Sequence, residues 1–157
     1  MPGQREESVF LSGWYEFPAV SNPGIEWSQL LELRAAVSRE LEQLRVTGAI
    51  GAPLDAGVTL YASEPAYSLL HRLGDELRFV FITSEARVLP AADRPADAVP
   101  AQATETAVWI KVQALDHGKC VRCWQKRHDV GANAAHPELC GRCVSNVDGA
   151  GEERRYV

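Results

Sequence analysis

The sequence predicts an α+β fold in three parts: a partial helical-bundle segment, a small α/β unit with a three- to four-stranded sheet, and a C-terminal finger closed by four cysteines. One long amphipathic helix comes first, and short apolar segments with alternating strand and helix signals follow it. All four cysteines lie in the last quarter of the chain. These patterns, in this order, predict the fold class.

Length and composition are those of a globular chain with one ordinary domain and a smaller one beside it. The chain has 157 residues, of which 46% are hydrophobic and 24% are charged. We expect the end of a helical domain at residues 1–48, the α/β unit at 49–89, a linker at 90–106, and the last strand with the finger at 107–157. No signal peptide, membrane span or lipid-anchor pattern is visible, which predicts a cytoplasmic protein without a membrane partner.

The longest predicted helix covers residues 25–46. Apolar residues recur there at steps of three and four and form one stripe that should face a core. The stripe consists of Trp27, Leu30, Leu33, Val37, Leu41 and Leu44. Thr47 and Gly48 supply the stop signal. A helix of this length, about 33 Å at about 1.5 Å per residue, usually belongs to a bundle.

An apolar segment precedes this helix between two turn signals. Its large apolar residues are Val9, Phe10, Leu11, Trp14, Tyr15 and Phe17. Because a free tail would leave these side chains in water, we expect the segment to pack on the helix or on a neighbouring body.

The α/β unit is predicted from a succession of strand, helix and strand. Residues 58–62 have the composition of a strand. Residues 64–73 are predicted to form a short helix with Ser63 as its N-cap and Pro65 in its first turn. Residues 77–83 contain an apolar run at 79–82 that fits a buried central strand.

Further strands are predicted on both sides of the linker. Residues 86–89 form a short strand, and residues 107–115 alternate apolar and polar side chains as a half-buried strand does. Between them, three prolines among alanines leave no periodicity in residues 90–106, which predicts a linker.

The spacing of the cysteines is the most informative pattern in the chain. Two Cys-x2-Cys pairs are separated by sixteen residues, and each pair can place two sulfurs on one tight turn around a tetrahedral zinc ion. The predicted ligands are Cys120, Cys123, Cys140 and Cys143. Four thiolates leave no open position for water, so the site should hold one structural zinc ion and not a catalytic one.

Other uses of the cysteines stay open at this point. Two disulfides would suit a secreted protein, a thioredoxin-type site needs only one pair at the start of a helix, and iron could take the place of zinc. His128 and His136 lie between the pairs and could replace a cysteine as ligand, but we expect both to be bystanders. No histidine has an obvious serine or cysteine partner, so we predict no catalytic residue.

Charge is distributed unevenly along the chain. Residues 1–116 carry 9 Lys and Arg against 16 Asp and Glu, whereas residues 117–157 carry 7 against 5, a net charge of +2. The cations near the cysteines either offset the negative charge of four thiolates around zinc or contact phosphate. Charge alone leaves both interpretations open.

The segments around the cysteine pairs are specific in more than their spacing. Lys-Cys-Val-Arg-Cys-Trp at 119–124 and Glu-Leu-Cys-Gly-Arg-Cys-Val-Ser-Asn-Val at 138–147 closely resemble the C-terminal zinc finger of bacterial isoleucyl-tRNA synthetases. The resemblance continues upstream in Gly-Trp-Tyr-Glu at 13–16, Val-Thr-Leu-Tyr-Ala at 58–62 and Gly-Asp-Glu-Leu-Arg-Phe at 74–79. Val121 departs from it, because proline is usual there. The finger also resembles that of a group of DNA glycosylases.

The resemblance implies the C-terminal region of an isoleucine–tRNA ligase: the end of the anticodon-binding domain, a junction and the zinc finger. In that family this region helps to hold the anticodon arm of tRNA(Ile), and the helical bundle and catalytic core are the other implied partners. The full-length family enzyme uses ATP. This sequence has neither ATP motif of the class, so we expect the chain alone to be inactive. The alternative is a free-standing zinc-ribbon module that binds nucleic acid.

Six residues of the finger are candidates for RNA contact under this resemblance. They are Lys119, Arg122, Trp124, Lys126, Arg127 and Arg142. The cations suit phosphate or a guanine edge, and an exposed Trp124 would be a stacking platform for a base. We favour instead a buried Trp124 that completes the small core of the finger. Arg154 and Arg155 are further candidates, although the acids beside them favour a solvated tail.

Overall fold

The computed structural model describes residues 7–19, 24–101 and 107–156. Its helices are α1 (Trp27–Val46), α2 (Ala66–Leu73), α3 (Leu77–Phe81) and α4 (Gly141–Asp148). Its strands are β1 (Ala56–Ala62), β2 (Glu85–Pro90), β3 (Val99–Pro100) and β4 (Val108–Ala114). The predicted mixed fold with a four-stranded sheet and a four-cysteine cluster is confirmed. None of the helices in the described ranges is long and apolar enough to cross a membrane.

The sheet has the strand order β2-β1-β4-β3. β1 pairs in parallel with β2, from Gly57 opposite Glu85, and antiparallel with β4, from Ala56 opposite Ala114. A parallel pair needs a crossover connection, and here α2 and α3 provide it. β1 therefore has a hydrogen-bonded neighbour on each side.

The core lies between the sheet and its helices. α1 packs on β4 and α3, and α2 packs on β1 and β2. Alternate residues of the two central strands, Val58, Leu60, Val108 and Ile110, point into this core and are buried, as the period of two in a strand requires. Most of the apolar stripe predicted for α1 faces the core: Leu30, Leu33, Val37 and Leu41 are buried and Leu44 packs against them. Trp27, the first residue of the predicted stripe, is exposed instead.

The prediction of a strand at residues 77–83 is wrong. The segment forms α3 and then turns at Ile82, which has a φ of 56°. Within α3 the buried apolar residues are Leu77, Val80 and Phe81, which have the spacing of a helix face. A short apolar run cannot be assigned to a buried strand or a buried helix by hydrophobicity alone, and here the positions of three residues decide it.

The start of α2 also differs from the prediction. Pro65 and not Ser63 is the residue before the helix, and no side chain caps its first turn. The Glu64 carboxylate instead accepts hydrogen bonds from the backbone N–H and the hydroxyl of Ser68. Ser63 donates its own backbone N–H to the carbonyl of Ala107, so it continues the sheet.

The predicted linker is in large part attached to the sheet. It contains β3, which pairs with β4. The Arg94 guanidinium lies 4.1 Å from the centroid of the Trp109 ring, and Asp97 accepts a hydrogen bond of 3.0 Å from Lys111. The segment after β2 thus leads to β3 at the opposite edge of the sheet, and side-chain contacts hold it against β4. Residues 102–106 of the predicted linker lie outside the described residues.

The apolar segment before α1 does not pack on that helix in the way we expected. Trp14 is fully exposed, and Phe10 and Phe17 are nearly so. Its one ring contact in the described ranges is internal, with the centroids of Tyr15 and Phe17 5.2 Å apart. Within the described residues these side chains therefore remain in water.

We expect the core under β1 to carry much of the stability of the α/β unit. Leu60→Ala removes a fully buried side chain, and such truncations cost about 2–5 kcal/mol. Leu31→Ala makes the same deletion on α1 at a side chain that is 53% exposed, and should cost less than about 0.5 kcal/mol. Urea unfolding followed by circular dichroism measures both values. Equal losses in the two variants would contradict the assignment of the core.

Candidate metal centre and nucleic-acid interface

The first cysteine pair lies on a turn that a short antiparallel bridge closes. Lys119 and Lys126 form that bridge. Inside it, the backbone N–H of Cys120 donates to the carbonyl of Gln125 at 2.9 Å. The Cys-x2-Cys spacing leaves Cys123 on the same turn, so both sulfurs of the pair face one point.

The second pair lies at the start of α4. Cys140 is the residue before the helix and Cys143 is in its first turn. The backbone N–H of Gly141 donates to the Asp129 carboxylate at 3.0 Å. A Cβ atom at residue 141 would lie 2.8 Å from that same oxygen, so a larger residue there would displace the Asp129 carboxylate. The contact fixes the start of α4 against the loop between the two pairs.

The four sulfur atoms lie within 4.8 Å of one another. All four thiols are free, and three of them are buried. The Sγ atoms of Cys123 and Cys140 are 3.7 Å apart, close to the edge of about 3.8 Å in a tetrahedron with zinc–sulfur bonds of about 2.3 Å. Cys120 and Cys143 complete the set. Four soft donors at this spacing fit one zinc ion with no open position.

Burial and local hydrogen bonds set the acidity of these thiols. Burial raises the pKa of Cys140 to about 12, and it also raises the pKa of Cys143. Burial acts in the same direction on Cys120, but hydrogen bonds from backbone N–H groups outweigh it and lower the pKa of that thiol to about 6. Four negative charges cannot share this site without a cation, because each thiolate raises the pKa of its neighbours.

The two histidines of the finger lie outside the sulfur cluster. His136 faces the Asp148 carboxylate at 3.5 Å. The ring of His128 lies edge-on to that of His117, with centroids 6.3 Å apart. The cluster that the structure brings together consists of cysteines.

The structure places Trp124 on the surface, which corrects the interpretation we favoured. Its side chain is 65% exposed and its φ is 63°, a left-handed conformation that is uncommon for a bulky residue. Its backbone N–H donates to the carbonyl of Cys120 at 2.8 Å. The turn that carries the first two sulfurs therefore ends by directing an indole ring into water.

Three of the candidate cations face the α/β unit. Lys119 pairs with Asp55 at 3.1 Å, and the ammonium of Lys126 donates to the carbonyl of Leu115 at 2.8 Å. Burial raises the pKa of the Asp55 carboxyl, but the hydrogen bond and charge of Lys119 together with the backbone N–H of Ala52 lower it overall. These cations fasten the finger to the sheet and its loops.

Arg127 makes the third of these contacts. Its guanidinium donates to the carbonyl of Ser84 at 2.8 Å and lies 3.7 Å from the Asp75 carboxylate. The side chain is mostly buried. It faces the body of the protein and not the solvent.

The last two candidate cations lie beside the sulfurs. Arg142 is mostly buried and pairs with Glu152 at 2.9 Å. Burial would lower its pKa, but a hydrogen bond with the Cys123 thiol and the charge of Glu152 raise it. Arg122 is exposed, and its Nη1 lies 3.7 Å from the sulfur of Cys143. Of the six candidates, Lys119, Arg122 and Trp124 are exposed, and Lys119 is held in an ion pair with Asp55.

The C-terminal tail returns to the α/β unit through a residue that the sequence did not single out. The Glu76 carboxylate accepts hydrogen bonds of 2.7 Å from the backbone N–H groups of Arg155 and Tyr156. Arg154 lies 4.0 Å from the centroid of the Phe79 ring. An acid on a short turn carries no sequence signal for such a role, because its partners are backbone groups 79 and 80 residues away.

Comparison with known proteins agrees with this geometry. Residues 118–146 match a family model described as a zinc finger found in FPG and IleRS. The chain is similar to the isoleucine–tRNA ligase of Methylococcus capsulatus, with 52% identity over 99% of the chain. It is also similar to those of Ectopseudomonas mendocina (48%) and Pseudomonas paraeruginosa (49%), each over 100% of the chain.

The match is to one part of these relatives. The chain spans 17% of the length of each of the three enzymes. That part is C-terminal in the relatives. The chain is therefore homologous to the C-terminal region of isoleucine–tRNA ligases and carries the zinc finger found in FPG and IleRS.

Proposed function

We propose that this chain acts as the tRNA-binding C-terminal portion of an isoleucine–tRNA ligase, and that its finger contributes to recognition of the anticodon arm of tRNA(Ile). The observation that carries the proposal is the exposed Trp124 beside the sulfur cluster, in a chain similar to isoleucine–tRNA ligases over 99% of its length. Bases of an RNA loop are recognised by stacking on aromatic rings and by hydrogen bonds to their edges. An indole held on a rigid turn suits that task.

The proposed role of the four cysteines is to hold one structural zinc ion. Among the described residues, only Val130 and Leu139 join the sulfur cluster as partly buried hydrophobic neighbours besides Cys123. So small a core cannot offset a backbone ordering entropy of about 1–2 kcal/mol per residue. Structural zinc contributes on the order of 10–16 kcal/mol in finger peptides. The metal then supplies the fold of the finger and takes no part in a reaction.

Two residues are proposed to contact RNA directly. Trp124 stacks on an unpaired base, and Arg122, two residues before it, binds a phosphate or a guanine edge. The remaining four candidates are proposed to act indirectly, because carboxylate or carbonyl oxygens of the protein already bind their charged groups. These are Lys119, Lys126, Arg127 and Arg142.

Aminoacylation itself is proposed only for a full-length enzyme. The sequence contains neither ATP motif of the class, and the chain spans 17% of the relatives in which ligation is named. The rest of the synthetase, with its helical bundle, catalytic core and ATP, is therefore a proposed partner of this region. A cytoplasmic location follows from this role.

Loss of one sulfur ligand should unfold the finger and spare the α/β unit. In Cys140→Ser, we expect zinc to fall from one ion per chain and amide protection to disappear in residues 117–147, while β1 and β4 keep theirs. Hydrogen exchange with mass spectrometry and elemental analysis measure the two effects. Chelation of zinc from the parent chain should reproduce the exchange pattern. Unchanged protection in a zinc-free chain would contradict the proposed role of the metal.

Removal of the exposed indole should weaken RNA binding without unfolding the finger. Trp124→Ala should cost about 1–3 kcal/mol of affinity for a tRNA(Ile) transcript, roughly 5- to 150-fold, in fluorescence anisotropy titrations at fixed salt. Trp14→Ala is the matched control, because it removes an indole that is more exposed than Trp124 and lies outside the finger. The same loss in both variants would count against stacking on Trp124.

Charge removal at Arg122 should change the salt dependence of binding. If this guanidinium contacts a phosphate, Arg122→Ala should reduce the slope of log K against log salt by roughly 0.7–0.9. An unchanged slope would exclude the phosphate contact. A duplex DNA of equal length is the competitor in the same titrations. Competition equal to that of the tRNA(Ile) transcript would favour the alternative of a zinc-ribbon module for DNA.

A further inference from the structure

The finger is held on the α/β unit at one buried turn between α3 and β2. Thr83 and Ser84 of that turn are fully buried. The hydroxyl of Ser84 accepts a hydrogen bond of 2.7 Å from the backbone N–H of Lys126 and donates one of 2.5 Å to the carbonyl of Leu54. Its backbone carbonyl accepts the Arg127 guanidinium at 2.8 Å. Ser84 therefore connects a loop of the α/β unit to two consecutive residues of the finger.

These contacts begin one residue after the indole. Gln125 is buried, and its amide donates to the carbonyl of Thr83 at 3.4 Å. Its own carbonyl accepts the backbone N–H of Cys120 at 2.9 Å. Trp124 thus lies between the sulfur-bearing turn on one side and the buried contact with Ser84 on the other.

The backbone is strained on both sides of this contact. Trp124 has a φ of 63° and Ile82 a φ of 56°, and these are the two described residues other than glycine with positive φ. Trp124 lies two residues before Lys126, and Ile82 lies two residues before Ser84. Lys126 and Ser84 are the donor and the acceptor of the hydrogen bond between the finger and the α/β unit. Such conformations persist only where surrounding contacts hold them. Without the bond between Ser84 and Lys126, the backbone at Trp124 keeps the contacts of Cys120 and Gln125 but loses the hydrogen bond that holds residue 126.

We propose that Ser84 is a positioning residue for RNA recognition: its buried hydroxyl holds the backbone at Lys126 and so keeps the Trp124 indole in the orientation that meets a base. This inference rests on the proposed function and assigns part of it to the α/β unit. It also assigns Lys126 and Arg127 to fastening the finger and not to binding phosphate. Trp124 thus lies between two constraints. The zinc site holds the turn with Cys120 and Cys123 before it, and the Ser84 hydroxyl binds the backbone N–H of Lys126 after it.

Two variants of the buried turn separate this role from simple stability. Ser84→Ala removes the hydroxyl that reaches the finger. Thr83→Val is the matched control, because the Thr83 hydroxyl donates to the carbonyl of Glu85 at 3.0 Å, within the turn itself. Both are made in the full chain with Trp14, Trp27 and Trp109 replaced by Phe, so that the fluorescence reports Trp124.

The expected result is a change in Ser84→Ala that Thr83→Val lacks. In free Ser84→Ala, the anisotropy of Trp124 emission should fall, while zinc stays at one ion per chain. Its affinity for the tRNA(Ile) transcript should fall at least about fivefold, the lower end of the loss of one stacked base. The salt slope of binding should stay the same, because no phosphate contact is removed.

A third variant guards against misfolding of the buried turn. Arg127→Ala removes the contact with the Ser84 carbonyl from the finger side. It should lower the anisotropy of Trp124 emission and the RNA affinity without changing the salt slope, in contrast to Arg122→Ala. A slope reduced by roughly 0.7–0.9 would make Arg127 a phosphate contact and overturn its assignment.

The two proposals fail in different ways. If the parent chain binds the transcript and Ser84→Ala equals Thr83→Val in both anisotropy and affinity, the positioning role is wrong and the proposed function stands. If the parent chain does not bind the transcript, the proposed function is wrong. The anisotropy of free Ser84→Ala then still decides whether Ser84 orients Trp124.

Discussion

The convergence of four cysteine sulfurs is the constraint on which the last third of the chain depends. The finger has almost no apolar core of its own, and its path is set by two tight turns that place buried thiols within 4.8 Å of one another. Burial raises the pKa of the Cys140 and Cys143 thiols, and neighbouring thiolates repel one another, so the four sulfurs need a cation to be ionised together. The same turn that carries Cys120 ends at Trp124, which links the metal centre to the exposed indole.

Most of the cations around the metal centre contact other parts of the protein and so stabilise the fold. Lys126 and Arg127 are directed at carbonyl groups of the α/β unit, and Arg142 is held between Glu152 and the sulfurs. Charged hydrogen bonds to buried carbonyl groups are strong because little water competes for them. These contacts hold the finger against the sheet, so the orientation of the Trp124 indole depends on both parts of the protein.

Part of the fold could be predicted because it depends on local periodicity. The stripe of α1 and the alternation in β4 each match one period, and β1 has the composition of a strand, so their existence and type followed from the sequence. The segment at 77–83 could not be assigned in this way, because its four consecutive apolar residues at 79–82 satisfy both periods. Its helical form depends on Leu77, Val80 and Phe81 meeting the core on one face.

By itself, the sequence determined the sulfur cluster and the family to which the region is homologous, because the ligand spacing of a zinc finger is a local property of two short turns. Only the tertiary structure decided that Trp124 is exposed and that Lys126 and Arg127 turn inward. For Arg127, the choice between a phosphate and a carbonyl depends on Ser84, a partner 43 residues away. The contact between the finger and the sheet brings those partners together, and no local pattern encodes it.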